Sequence, residues 1–233
     1  MRRIPEPELM DDPAQALAYA QADFSEPHDR FVDLFIERFG SEIRGKVLDL
    51  GCGPGDICRR FARALVGCRV EGLDASPAML ELALADTEAA NLSQRVQFSC
   101  GHLPEAQLPV GHYEAVISNS LLHHLADPAT LWRSVRRFAK AGAPVFVMDL
   151  IRPDSRATAA RMVEQYAADE PALLRRDFFN SLLAAYRPDE VQRQLAQHGL
   201  RELHIETVSD RHLVVSGYLI SAAASRSDGT AYR

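Results

Sequence analysis

Two spacings of apolar residues alternate along this chain, one suited to helices and one to strands. Residues 12–22 and 26–39 carry helical signals, opened by Asp12-Pro13 and Glu26-Pro27, with Phe31, Leu34, Phe35 and Phe39 on one side. A β-branched and aliphatic run over 46–50 then reads as a strand, and residues 56–65 as a helix. The unit repeats: a strand over 69–74, a helix over 78–90 with Ser76 as N-cap and Pro77 at its first position, and a short strand over 96–100. Further strands over 113–119 and 143–149 flank a helix over 128–140. Such alternation builds a parallel sheet covered on both faces, with the ligand at the carboxyl ends of its strands. Those ends are Leu50, Asp74, Cys100, Asn119 and Asp149.

The later chain departs from this rhythm. Residues 152–187 are helix-like segments rich in Ala, Arg and Glu, broken at Glu170-Pro171 and Arg187-Pro188. About 35 residues are too few for a separate core, so we expect an insertion lying over the sheet edge as a lid. A helix over 191–198 stops at Gly199, and residues 202–206 and 212–218 read as a closing antiparallel pair. The polar stretch 225–233 is expected to fray. The expectation is therefore one domain over 1–233: a helical cap at 1–40, a ligand-binding core at 44–150, a lid at 152–187 and a closing segment at 188–220.

Composition narrows the partners. The 233 residues are 47% apolar and 25% charged, as in a globular protein, and the net charge of −6 gives no electrostatic footprint for nucleic acid. No stretch is apolar enough for a membrane span, and the start lacks the apolar run of a secretion signal, which predicts a cytoplasmic protein. Cys52, Cys58, Cys68 and Cys100 show neither a C-x-x-C pair nor histidines at zinc-site spacing, so reduced thiols and no metal are expected. Cys52, inside the glycine loop, reads as a small residue filling a tight turn rather than as a nucleophile.

The chemistry concentrates in "VLDLGCGPGD", residues 47–56. Glycines behind a first strand let backbone approach a ligand closely, and the next helix offers free N–H groups. A nucleoside triphosphate, a dinucleotide and S-adenosylmethionine share this geometry. No Gly-Lys-Ser or Gly-Lys-Thr is present, which removes the P-loop. A dinucleotide fingerprint would need Gly or Ala where Asp56 stands, and would bring a pyrophosphate against that carboxylate. S-Adenosylmethionine has no phosphate and carries an ammonium and a sulfonium, so acidic residues around the loop favour it.

This stretch, with "VEGLDASPAML", "CGHLPEAQLP" and "YEAVISNSLLHHLADP", resembles the class I S-adenosylmethionine-dependent methyltransferases, most closely the small-molecule branch described as methyltransferase type 11. The likeness covers roughly residues 44–150 and implies a Rossmann-like, mostly parallel seven-stranded sheet with S-adenosylmethionine as cofactor and S-adenosylhomocysteine as product. It places Asp49 near the cofactor's amino group and Gly51 and Gly53 against its methionine part. Asp74, 23 residues after Gly51, is implied to accept both ribose hydroxyls, with Ala75, Ser76 and Met79 close by toward the adenine. Many relatives have an acid where this chain has His102; an imidazole nitrogen or the Leu103 backbone would meet the adenine instead. The fourth-strand motif, with Glu114 in place of the usual Asp, implies Asn119 or Ser118 beside the methionine part.

Methyl transfer needs alignment more than a shared set of catalytic groups. In relatives an aromatic residue from the N-terminal segment covers the sulfonium, and "AYAQADF" offers Tyr19, with Phe24 beside the acceptor. His123 and His124 are candidate bases, His123 foremost. Asp149 and Arg152, with Arg175, Arg176 and Asn180 on a lid helix, are expected to receive the acceptor, which a carboxylate would suit. The expected function is methyl transfer to a small molecule by a monomer or homodimer without nucleic-acid or membrane partners. Methylation of RNA or protein, or non-catalytic cofactor binding, are the alternatives. A nicotinamide oxidoreductase is disfavoured by Asp56.

Overall fold

The computed structural model describes residues 1–6 and 11–220; the expected frayed tail at 225–233 lies outside the described residues. Seven strands among them form one sheet: β1 (Gly45–Leu50), β2 (Cys68–Asp74), β3 (Val96–Cys100), β4 (Ala115–Asn119), β5 (Pro144–Leu150), β6 (His204–Thr207) and β7 (His212–Tyr218). Their order is β3-β2-β1-β4-β5-β7-β6. The first five run parallel and β7 is antiparallel between β5 and β6, so the expected closing hairpin is present with its second strand innermost.

Alternation along the central strands sends side chains to two cores. Leu48, Val116, Val145 and Val147 join one, which Trp132 and Val135 of α5 (Ala129–Phe138) and Val191 and Leu195 of α8 (Pro188–Gln197) complete. Val47, Ile117 and Phe146 join the other, against Phe31 and Phe35 of α2 (Ser25–Phe39) and Phe61 of α3 (Asp56–Ala64). A parallel sheet buried on both faces is what near-continuous apolar strands require. No described helix is long and apolar enough to cross a membrane.

Element boundaries follow local chemistry. Pro77 opens α4 (Pro77–Ala89), and Ser76 Oγ accepts the Met79 N–H at 3.2 Å. The last helix starts three residues earlier than its apolar spacing suggests, because Pro188 fits the first turn and Glu190 reaches back to the Arg187 N–H at 2.8 Å. Tyr113, expected in β4, makes only an isolated bridge to Ala139; its hydroxyl donates to Glu71. The segment expected as a lid forms a helix pair, α6 (Arg156–Tyr166) and α7 (Ala172–Ala184), sharing a third apolar cluster with Leu150 at the end of β5. The first helix, α1 (Pro13–Gln21), lies against α4 and α7.

Candidate active site

Past β1 the chain must turn sharply before α3, and Gly51, Gly53 and Gly55 do so with φ of 72°, 51° and 76°, a region that L-residues rarely occupy. The loop is seated by β2: the N–H groups of Gly51 and Cys52 donate to Leu73 O. Gly72 makes room beneath it, since a Cβ there would stand 2.7 Å from Cys52 Sγ. The buried Cys52 is thus the filler of a turn.

Asp74 closes the other side. Its Oδ2 accepts the Gly53 N–H at 2.8 Å and its Oδ1 the Ser76 N–H at 2.9 Å, tying the glycine loop to the start of α4. Burial raises its pKa, and these backbone donors oppose that rise. Asp49, at the third position of the motif, is 1% exposed. Its Oδ2 accepts a weak bond from the Cys58 thiol at 3.2 Å, while its Oδ1 has no hydrogen-bond partner. Burial pushes its pKa up to about 7. A buried carboxylate with one unmatched oxygen is a receptor for a cationic donor.

These groups line one end of a cavity of about 730 Å³. Gly51, Gly53, Asp49, Asp74, Ala75 and Met79 border it from the sheet side, and His102, Leu103 and Asn119 from the following strand ends. Tyr19, Phe24 and His123 border it too, with residues of α7 and of the turn before β7.

Residues 47–142 match the family model described as a methyltransferase domain. This stretch of the chain is a methyltransferase domain. Among curated relatives, the ubiquinone biosynthesis O-methyltransferase of Sodalis glossinidius is 34% identical over 124 residues, 52% of this chain and 47% of the relative. The ajmaline N-methyltransferase of Rauvolfia serpentina is 28% identical over 109 residues, 46% and 37% of the two chains. The chain therefore spans about half or less of the length of these relatives. A solved S-adenosylmethionine-dependent methyltransferase from Aquifex aeolicus superimposes with a TM-score of 0.67 at 18% identity, over 90% of this chain and 99% of that one, which establishes a shared fold.

The methyltransferase domain suits S-adenosylmethionine on its own geometry. The unmatched Asp49 oxygen fits an ammonium, the Asp74 carboxylate at the end of β2 fits a diol, and the glycine loop leaves room for close contact. Asp56 carries less of the case against a pyrophosphate than its sequence position suggests. Its carboxylate is paired with His28 Nδ1 at 2.8 Å and Arg60 Nε at 2.7 Å, and despite burial these partners lower its pKa. The case against a pyrophosphate therefore rests on Asp49, since an acid at the end of β2 such as Asp74 suits the ribose of a dinucleotide as well.

Beyond the methyltransferase domain's cofactor end, the expected acceptor residues divide. Tyr19 and Phe24 border the cavity with ring centroids 4.8 Å apart, and burial pushes the Tyr19 phenol up to about 12, so it is neutral and unsuited to act as a base. His123 is 2% exposed, and its Nδ1 faces Asp149 Oδ1 at 2.6 Å. Burial lowers the imidazole pKa, but Asp149 and Glu6 outweigh it and raise it overall.

Five expected acceptor contacts lie elsewhere. Asp149 does not border the cavity; besides His123 it accepts the N–H groups of Leu122 and Leu150, both at 2.7 Å, and so braces the histidine from behind. Arg152 is buried, with its guanidinium bonded to Ala185 O at 2.7 Å and Glu190 at 2.7 Å, where it anchors α8. Arg176 is turned outward beside Asp177, its side chain 65% exposed, and Asn180 also lies off the cavity. Arg175 is likewise outside, paired with Glu164. Helical spacing grouped Arg176 and Asn180 correctly but on the face turned away from the cavity.

Several residues in or beside the cavity carried no readable signal. Glu6 is brought to His123 and His124 by the N-terminal segment, and Arg211 and His212 enter from the turn before β7. Burial pushes His212 down to about 4, leaving it neutral. The adjacent histidines were visible as candidates, but nothing in their spacing linked them to an acid 117 residues upstream of His123.

Proposed function

We propose that the protein transfers the methyl group of S-adenosylmethionine to a small-molecule acceptor in the chamber under Tyr19, Phe24 and α7. The observation that carries this reading is the unmatched, buried Asp49 oxygen facing the same cavity as Asp74 and the acceptor chamber. When bound, the cofactor supplies an electrophilic methyl whose leaving group is a neutral thioether. The chain's own work is alignment: Asp49 and the glycine loop hold the amino-acid end, Asp74 the ribose, and Met79, His102 and Leu103 the adenine side. Asn119 lies between these groups and the chamber. Tyr19 and Phe24 cover the reacting region and exclude water.

Leu125, Leu150, Leu174 and Phe178 border the chamber, joined by Ser181, Asp177 and Arg211. With Arg152, Arg175 and Arg176 turned away, the expected carboxylate-bearing acceptor loses the three arginines assigned to it, and an acceptor held mainly by apolar contact fits this lining better. The heteroatom to be methylated reaches Glu6, His123 and His124, the groups that deal with its proton. O- and N-methyltransferases both occur among the relatives, which is consistent with acceptor identity residing in the chamber and not in the cofactor end. We read the protein as a cytoplasmic monomer or homodimer, its net charge of −6 arguing against a nucleic-acid substrate.

Calorimetric titration with S-adenosylmethionine, S-adenosylhomocysteine, NAD and ATP tests the cofactor. Binding of the two sulfur nucleosides alone is expected, and preference for NAD would overturn the reading. Methyl transfer to a panel of phenols, amines and carboxylates then tests the acceptor, with carboxylates expected to be the poorest class.

A further inference from the structure

The turn after β4 does something unusual with two consecutive side chains. In a strand, neighbours point to opposite faces, and in a helix they diverge by about 100°. Here the His124 N–H donates to Leu121 O at 3.0 Å, and the tight turn stacks the His123 and His124 rings with centroids 4.2 Å apart. Glu6, a nine-tenths buried side chain from the N-terminal segment, completes the group. Its Oε1 lies 3.6 Å from His123 Nε2 and 3.5 Å from His124 Nδ1, and all three donor atoms fall within 4.8 Å of one another.

Two features mark this as a built site. Glu6 Oε1 is buried and makes no hydrogen bond, while Oε2 is held by the Ser181 hydroxyl at 3.3 Å, so the free oxygen is aimed at the imidazoles. On the far side, His123 Nδ1 faces Asp149 at 2.6 Å, which fixes the ring and leaves Nε2 toward Glu6. A carboxylate behind a histidine, orienting its other nitrogen toward a cation, is the usual outer support of a metal ligand. Bonds near 2.1 Å at tetrahedral angles separate two donors by about 3.4 Å, close to the spacings around Glu6.

We propose that Glu6, His123 and His124 form a site for a divalent transition-metal ion, with its remaining coordination positions open to the acceptor chamber. Two imidazoles and one carboxylate suit Zn²⁺ or Fe²⁺ and not Mg²⁺ or Ca²⁺, which favour all-oxygen shells. The class of acceptor this implies carries a hydroxyl able to join the ion. As the metal–oxygen bond forms, the O–H bond breaks, its electron pair stays on oxygen and the proton leaves to water. That role rests on the proposed methyl transfer; the metal site itself does not.

The test uses the full chain with Zn²⁺ and Co²⁺ alone. One Zn²⁺ per chain is expected to survive gel filtration, and Co²⁺ to give the visible ligand-field bands of a four- or five-coordinate nitrogen and oxygen site. Glu6→Gln and His124→Ala should each weaken Zn²⁺ by at least about tenfold, and Ser181→Ala by a smaller factor. Asp74→Ala should lose S-adenosylhomocysteine affinity yet keep the ion, which separates failure of the cofactor reading from failure of the metal site. Wild-type protein that takes up no stoichiometric Zn²⁺ and shows no Co²⁺ bands would overturn the proposal, even where a variant does not fold. Equal Zn²⁺ affinity in folded Glu6→Gln and His124→Ala would overturn it as well.

Discussion

The two ends of the cavity are built by different means. At the cofactor end, a loop, a strand end and a helix start are shaped mainly by backbone: positive φ at Gly51, Gly53 and Gly55, and the Asp74 carboxylate bonded to main-chain N–H groups. At the acceptor end, side chains converge from residues 3–6, α1, the turn after β4, α7 and the turn before β7. Backbone geometry leaves its mark in contiguous sequence, because only certain residues fit it. Convergent side chains leave none, because each is locally ordinary. Changes at the first end should therefore act on cofactor affinity, and changes at the second on turnover of a particular acceptor.

The sharpest break of that division is Gly51→Val. A β-branched residue at φ 72° is strained, and any Cβ there would sit 2.7 Å from Leu121 Cδ1. Affinity for S-adenosylhomocysteine is expected to fall by about 2–4 kcal/mol with the fold retained by circular dichroism. Asp74→Ala comes next. It removes the acceptor of the Gly53 N–H and the proposed ribose contact, and should cost about 1–3 kcal/mol in the same titration.

Asp49→Asn sharpens the comparison through pH. The folded carboxyl titrates at about 7 against an ordinary value of 3.8, so between those values the folded state holds the extra proton. Its contribution to stability is fully present below pH 3.8 and is lost as pH rises through about 7. Urea midpoints of the wild type should carry this fall across that window, and those of Asp49→Asn should lack it. Cofactor affinity runs the other way in the wild type, rising toward pH 8 as the carboxylate ionises. In the variant it should be flat and, at pH 8, weaker by about 1.5–2 kcal/mol.

This division also explains what could be read in the sequence. Five parallel strands, the glycine turn and the Asp74 position were legible because periodicity, glycine and capping residues act locally. The insertion of β7 between β5 and β6 was not, since an antiparallel pair has the same pattern whichever strand lies inside. Arg152 illustrates the limit at the acceptor end. It follows a strand end where ligand contacts are common, yet Glu190 and Ala185 O, both more than thirty residues away, draw it into a structural role.

Arg3→Ala probes how the N-terminal segment is held. Its guanidinium donates to Ala184 O, to His123 O at 2.8 Å and to Leu125 O at 3.2 Å, and lies 4.2 Å from the Tyr186 ring centroid. It therefore clamps the residues leading to Glu6 against the turn that carries His123. Loss should reduce acceptor turnover by about 1 kcal/mol, roughly fivefold, without altering S-adenosylhomocysteine affinity in the same preparation. An equal loss of cofactor affinity would erase the distinction between the two ends.

The smallest effect belongs to Arg176→Ala, and its smallness is informative. The side chain is 65% exposed and pairs with Asp177 at 3.3 Å across the surface of α7, an arrangement worth little in water. Turnover and thermal stability should both stay within about 0.5 kcal/mol of wild type. Arg211 is the matched opposite: it borders the chamber, with its guanidinium 3.5 Å from the Tyr166 ring centroid. If Arg176→Ala reduced turnover while Arg211→Ala did not, the acceptor would have to bind on the outer face of α7. The acceptor end would then be an open surface and not the chamber behind Tyr19.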